Sequence, residues 1–315
     1  MTALLDRKLL FVTGKGGVGK STIAASIGLL AAEQGKRTLV CEVDAKGNLA
    51  DFYEAGATAF TPRELQPNLW VMSMDTEESL KEYLKLQLKL PLVTRIGPIA
   101  RTFDFVASAA PGVKEILTVG KFVWEVRERH YDLVVVDAVA SGHIVGQLSA
   151  PKGISELVQV GMVRNQTQWM LDVLEDPMQT GVVIVSAPEE MPVNETIELA
   201  DRLADETDVD LAAVVVNRVL PELFGRGEEA LFERLRTPDR TEVLAKAAGG
   251  DVAPLLDGAE LAVTLRRTRA AHLQRLRGGL PSDLPLLYIP YLFARDEGVR
   301  ATRQIAEALS EELGY

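Results

Sequence analysis

The chain has 315 residues, 47% hydrophobic and 25% charged, enough for one large core with insertions or for two small domains. Its formal net charge of −11 argues against a nucleic-acid partner, because that affinity comes chiefly from lysine and arginine neutralising phosphates. The single cysteine, Cys41, excludes an internal disulfide framework and a multi-thiolate metal site within the chain.

The first apolar run, Leu9 to Val12, comes too early to follow a signal peptide, and no uninterrupted apolar stretch reaches the roughly 18 residues of a membrane span. A cytoplasmic protein without an integral membrane segment is expected. The run leads into Gly14-Lys15-Gly16-Gly17-Val18-Gly19-Lys20-Ser21 and then into Thr22 to Ala32, which reads as helix. Strand, glycine-rich turn and helix are the context that a G-x-x-x-x-G-K-[ST] phosphate-binding loop requires. Gly16, Gly17 and Gly19 are expected to let successive N–H groups converge on phosphate oxygens at a helix N-terminus. Lys20 would reach the β and γ phosphates and the Ser21 hydroxyl would ligate Mg²⁺. Lys15 is spare within this loop. It either crosses to the nucleotide of a facing subunit as a charge stabiliser or remains a solvated lysine.

The next strand pattern, Thr38 to Val43, ends at Asp44, a carboxylate at the sheet edge where ligands of open α/β sheets sit. Asp44 can orient water toward the γ-phosphate or cap a helix. After the strand pattern Leu69 to Met74, the stretch Asp75 to His130 is mostly helical in pattern, with Leu80, Tyr83, Leu84, Leu88 and Leu90 at helical spacing, Pro91 and Pro98 as punctuation, and Val113 to Val126 amphipathic. Leu133 to Val136 is a buried-strand run ending in Asp137, placed for an outer-sphere contact to Mg²⁺, and Ala138 to His143 follow as a small-residue segment able to respond to the γ-phosphate. Another helical segment, Ile154 to Leu174, carries Met162, Trp169 and Met170. These apolar residues are either ordinary core or a client surface coupled to hydrolysis.

Further strand patterns at Val182 to Ser186, Ala212 to Val216 and Leu286 to Ile289 bring the total to seven, alternating with helices, so a mostly parallel sheet is expected. Asn217, just after its strand, offers the donor and acceptor faces that adenine needs, or forms a turn. Leu265 to Arg277 concentrates Arg266, Arg267, Arg269, Arg275 and Arg277 with His272 and reads as a solvated helix face. Glu297 to Tyr315 is amphipathic and acidic, a poor match for anionic lipid.

Gly14 to Ser21 resembles the G-K-G-G-x-G-K-[ST] loop of the deviant-P-loop ATPases, the group that includes the arsenical pump, nitrogenase iron protein, partitioning and tail-anchored-protein targeting ATPases. The resemblance implies that Lys15 is a signature lysine reaching across a nucleotide-sandwiched dimer. Asp44, Asn48 and Leu49 match a first switch of the type D-P-A-H-N-L, whose three middle residues are replaced here, and Asp44 takes the water-orienting role. Asp137, Gly142 and His143 are similar to a second switch of the type D-T-A-P-T-G-H. Asn217 and the proline-containing loop Pro290-Tyr291-Leu292-Phe293 match adenine-holding positions, which favours ATP over GTP.

The arsenical pump and tail-anchored-targeting branch is the one this chain resembles from Leu9 to about Leu309. The implied fold is a single α/β P-loop NTPase domain over 1–315, with helical insertions near 76–130 and 150–178 forming a discontinuous subdomain. The implied activity is ATP hydrolysis by a homodimer, or by a heterodimer with a related ATPase, coupled to a protein client. Residues Gly14 to Thr22, Asn217, Pro290, Tyr291 and Leu292 form the candidate nucleotide set, Ser21, Asp44 and Asp137 the candidate Mg²⁺ set, and Lys15, Lys20 and Asp44 the catalytic set. With one cysteine and no C-x-x-C pair, thiolate capture of metalloid and zinc-locked dimerisation are not expected. The alternative class is a partitioning or positioning ATPase, a nucleotide-controlled binding module.

Overall fold

The computed structural model describes residues 4–43, 48–88, 112–157, 162–222, 224–225, 227–292 and 298–315. Its centre is β1 (Leu9–Gly14), buried along its whole length, which runs into α1 (Lys20–Glu33). Then come β2 (Thr38–Glu42), the short α2 (Asn48–Phe52), β3 (Arg63–Gln66), β4 (Leu69–Ser73), α3 (Thr76–Leu88) and α4 (Val113–Arg127). The chain continues through β5 (Leu133–Asp137), α5 (Ser141–Leu157), α6 (Met162–Leu174), β6 (Thr180–Ser186), α7 (Glu190–Glu206) and β7 (Leu211–Val219). It closes with α8 (Glu228–Leu235), α9 (Pro238–Ala248), α10 (Ala253–Gly278), β8 (Leu286–Pro290) and α11 (Gly298–Leu313).

The sheet order is β3-β4-β2-β5-β1-β6-β7-β8, parallel throughout except for the antiparallel pair β3 and β4. The mostly parallel α/β sheet expected from the sequence is therefore present. The seven strand patterns all became strands, and β3 is an addition. Strands buried on both faces read as continuous apolar runs, whereas β3 borders one neighbour only and its Arg63 and Glu64 are exposed.

Two cores follow from the alternation of side chains along each strand. Leu10 and Val12 face the layer of α1 and α11, with Ile23, Ile27, Ile305 and Leu309. Leu9 and Phe11 face the opposite layer, with Phe122, Ile144 and Leu199. The amphipathic C-terminal stretch is α11, whose apolar face is used internally: Ile305, Ala306 and Leu309 are buried and the Ser26 hydroxyl donates to the Thr302 carbonyl at 3.0 Å.

Over the described residues the helical reading of 75–130 is met by α3 and α4; residues 89–111, with Leu90, Pro91 and Pro98, lie outside them. The helical segment expected over Ile154 to Leu174 is covered by the end of α5, which starts earlier, at Ser141, and by α6. The arginine-rich run lies in α10, where Arg266 pairs with Glu222 at 3.1 Å and Arg267 with Glu229 at 2.7 Å. Among the described residues no helix is long and apolar enough to cross a membrane.

Phe122 joins the helical layer to the central strand, meeting Phe11 edge to face with ring centroids 6.4 Å apart, both fully buried. Phe122→Ala should cost about 3–5 kcal/mol of unfolding free energy, read by urea denaturation. A loss below about 1 kcal/mol would mean that this packing does not hold the layer.

Candidate functional site

The carboxyl edge of the sheet carries a cleft of about 440 Å³ formed by the loop after β1, the start of α1, the ends of β2 and β5, and Arg218. Gly14 ends β1 at φ 142°, and a Cβ there would lie 2.2 Å from the Val185 carbonyl oxygen, so the strand-to-loop turn needs glycine. Gly19 is the N-cap of α1 at φ 98°, and its Cβ would meet the Asn217 Nδ2 at 2.4 Å. Gly16 has open space around its Cα and no left-handed φ, so the special backbone expected of it is not used here. With no side-chain cap on α1, its N-terminus opens on the cleft, the setting of an anion site.

Asn217 lies within β7 and not after it. Pairing of β7 with β8 continues to Val219 across an irregularity, although the apolar run stops at Val216. Its buried amide donates from Nδ2 to the Val18 carbonyl at 2.9 Å, and its Oδ1 accepts the Arg218 N–H at 2.9 Å. This ties the phosphate loop to a strand two places away in the sheet. Pro290 ends β8, the Tyr291 N–H donates to the Val219 carbonyl at 2.8 Å, and Leu292 packs half-buried on the α1 core. Pro290 and Tyr291 border β7, and none of the three lines the cleft.

Lys20 reaches back over the loop, donating to the Lys15 carbonyl at 3.3 Å, and Ser21 and Thr22 line the cleft beside it. Lys15 does not point into solvent unpartnered. Its Nζ meets Glu195 Oε2 on α7 at 2.6 Å, and Glu195 Oε1 accepts the Ser141 hydroxyl at 2.7 Å. Burial alone would raise the Glu195 carboxyl, but the Lys15 and Ser141 bonds and the nearby Lys20 charge hold it below the usual glutamate range. Both members of the pair are about a third exposed, so the pair contributes on the order of 1 kcal/mol or less.

Asp137 ends β5 almost fully buried, aligned with Val12 on one side and with Glu42 on the other. The Glu42 side chain, also buried, lines the same cleft at the end of β2. Adjacent carboxylates beside the Ser21 hydroxyl form a hard-oxygen set that suits a small divalent cation. The segment after Asp137 is pinned by Thr13, whose hydroxyl donates to the Val139 carbonyl at 2.8 Å. Gly142 and His143 are exposed in the first turn of α5. Asp44, with Ala45 to Gly47, and Phe293 lie outside the described residues, as does the side chain of Asn48.

Three residues of the site escaped the sequence reading. Glu195 sits in a helix with several other acidic residues and carries no local signal. Glu42 reads as the polar end of a strand. Arg218 holds φ 61°, a left-handed value rare for a side-chain-bearing residue, at the irregularity of β7, and lines the cleft.

A second cavity, of about 240 Å³, lies in the helical layer among α3, α4, α5 and α6. It is lined mainly by apolar side chains, including Leu80, Ile116, Trp124, Ile154, Trp169 and Met170. At its edge the buried Lys121 bridges Glu82 at 2.6 Å and Glu125 at 2.7 Å. The Met162 side chain is outside the described set. Cys41 is fully buried in β2 and burial pushes its thiol up, so it supplies no reactive thiolate.

Residues 7–171 and 157–237 match the family described as anion-transporting ATPase. The chain is 30% identical over 256 residues to the ATPase BagA of Mycobacterium tuberculosis, covering 78% of this chain and 70% of that protein. It is 30% identical over 247 residues to a putative arsenical pump-driving ATPase of Halobacterium salinarum, covering 73% of this chain and 38% of that protein. It is 28% identical over 267 residues to an ATPase ASNA1 homolog of Cryptosporidium parvum, covering 73% and 71%.

Two outcomes are expected from this geometry. Asn217→Ala removes the partner of the buried Val18 carbonyl and should cost about 1–3 kcal/mol in thermal or urea unfolding; ATP affinity should fall with it, and unchanged affinity would separate the amide from the loop. Glu195, with a folded-state pKa below its unfolded value, adds stability that is present above the ordinary glutamate range and lost as pH falls through the folded value. The stability of wild type should therefore drop more steeply than that of Glu195→Gln at acidic pH below about 4.5, and parallel acid profiles would remove the carboxylate from the balance.

Proposed function

The chain belongs to the anion-transporting ATPase family and hydrolyses ATP, and on that premise we propose that it is a Mg²⁺-dependent switch in which two subunits close over nucleotide and reshape a helical client surface. The observation that carries the reading is α5. It starts at Ser141, four residues beyond Asp137 at the nucleotide cleft, and its Ile154 lines the apolar cavity of the helical layer. At 1.5 Å per residue, one helix, with Pro151 inside it three residues before Ile154, spans the roughly 20 Å between the two sites. A change at the γ-phosphate that moves Ser141 is thus transmitted to the cavity wall. In this reading 1–315 is one ATPase domain, and the helices of the 76–130 and 150–178 regions act as its discontinuous client subdomain.

The N–H groups at the start of α1 and the Lys20 ammonium would hold the phosphates, and Asn217 with the Pro290 to Leu292 segment would border the base. Ser21 and Asp137, with Glu42, would hold Mg²⁺, which when bound neutralises charge developing on the phosphates. Asp44 would orient the attacking water, and Lys15 of the facing subunit would stabilise the leaving charge. Lys20 and Lys15 serve different subunits in this scheme, so their loss should differ. A second copy of this chain is the simplest facing subunit, a related ATPase the alternative. Metalloid is not the proposed client, since the lone thiol is buried in β2.

In turnover assays, Lys20→Ala should lower ATPase activity by about 10²-fold or more. Lys15→Ala should still bind nucleotide. Light scattering on a sizing column should show a dimer with Mg-ATP for Asp44→Asn and a monomer once Lys15→Ala is added. A dimer that survives Lys15→Ala would remove the cross-subunit lysine, and no dimer in either protein despite bound ATP would point to a different partner subunit.

A further inference from the structure

The Lys15 side chain is held within its own subunit by a carboxylate that nothing in the nucleotide chemistry requires. Glu195 Oε2 lies 2.6 Å from Lys15 Nζ, and Glu195 Oε1 takes the Ser141 hydroxyl at 2.7 Å. Both carboxylate oxygens are therefore engaged, one by the phosphate loop and one by the first residue of α5. We propose that Glu195 is a positioning residue that parks Lys15 in the unpartnered subunit, so that the lysine must leave Glu195 before it can serve a facing nucleotide. This rests on the cross-subunit lysine reading above and adds to it a competing acceptor in cis.

The geometry links release to the nucleotide. Lys15 and Lys20 lie in one loop, with Lys20 donating to the Lys15 backbone, and Glu195 offsets this clustered positive charge. Phosphates entering the cleft offer the same cations a stronger anion, so the hold of Glu195 weakens as nucleotide binds. Ser141 is the second lever. It follows Asp137 by four residues, and displacement of that segment withdraws a hydrogen bond from the carboxylate. An ion pair that is about a third exposed is strong enough to bias the lysine and weak enough to be broken by a phosphate.

The test uses the full chain with a non-hydrolysable ATP analogue and Mg²⁺, and reads the protein concentration at half-dimerisation by sedimentation equilibrium. Glu195→Gln, which keeps the shape and removes the charge, should lower that concentration by roughly tenfold, since each of the two subunits loses an exposed ion pair that opposes closure. Glu195→Asp, which keeps the charge, should stay near wild type. Glu195→Gln combined with Lys15→Ala should behave as Lys15→Ala alone. In dilute nucleotide-free protein, acylation of Lys15 by an amine reagent, quantified by mass spectrometry, should rise several-fold in Glu195→Gln.

If wild type dimerises and Glu195→Gln does so at the same concentration, the parking role is overturned and the cross-subunit lysine stands. If the double variant dimerises more readily than Lys15→Ala, Glu195 acts by another route and the proposal fails. If wild type binds the analogue without dimerising at any concentration, the cross-subunit reading falls and the parking role with it.

Discussion

The bond from the Asn217 amide to the Val18 carbonyl sets where the phosphate loop can lie, because that loop has almost no side chains of its own to pack. Val18 is the exception: it is buried and brings its carbonyl inward, where an unanswered acceptor would cost about 1–3 kcal/mol. The same amide stands 2.4 Å from where a Gly19 Cβ would sit, so the contact that secures the loop also forbids a side chain at the helix cap. A bare cap leaves the α1 N–H groups facing the cleft. Anion binding here is a consequence of packing as much as of the lysines.

Charge is then arranged around that cap in opposition. On one side are Lys15 and Lys20. On the other, Glu42 and Asp137 stand next to each other at the ends of neighbouring parallel strands. The chain as a whole is acidic, and the local separation of signs matters more than the net value of −11. The lysines suit phosphate oxygens, the carboxylates suit a hard cation, and a magnesium nucleotide presents both in one ligand. Glu195 stands apart from this division, since it contacts the cationic side without lining the cleft.

What was legible in the sequence was what burial on two faces imposes. Leu9 to Val12, Leu133 to Val136 and Val182 to Val185 are unbroken apolar runs because each has helices on both sides, and the glycine spacing after the first announced its turn. β3 left no such trace, since an edge strand with exposed Arg63 and Glu64 need not be apolar. Asn217 was found but misplaced, because the apolar run ends one residue before it while backbone pairing persists to Val219. Arg218 was invisible, for its place in the cleft comes from a left-handed backbone that no residue type announces. Glu195 could not have been singled out by spacing. Its partner Lys15 is 180 positions away in sequence, and the two meet only because β6 lies beside β1 and places α7 over the loop.

That adjacency gives α7 and α5 their mechanical meaning. Each begins just after the carboxyl end of a strand flanking β1, α5 after β5 and α7 after β6, so both start at the nucleotide edge and run away from it into the same apolar layer. Ser141 of α5 and Glu195 of α7 are joined by a hydrogen bond at that edge, while Val145 and Leu148 of α5 and Leu199 and Leu203 of α7 are buried in one cluster further along. Two helices tied at one end and packed along their length cannot move independently without opening a cavity, which close-packed interiors resist. A displacement at Ser141 is therefore shared between them. The helix that lines the apolar cavity and the helix that holds Lys15 are thus joined at the same few atoms beside Asp137, and in the proposed switch that junction would couple client surface to subunit closure.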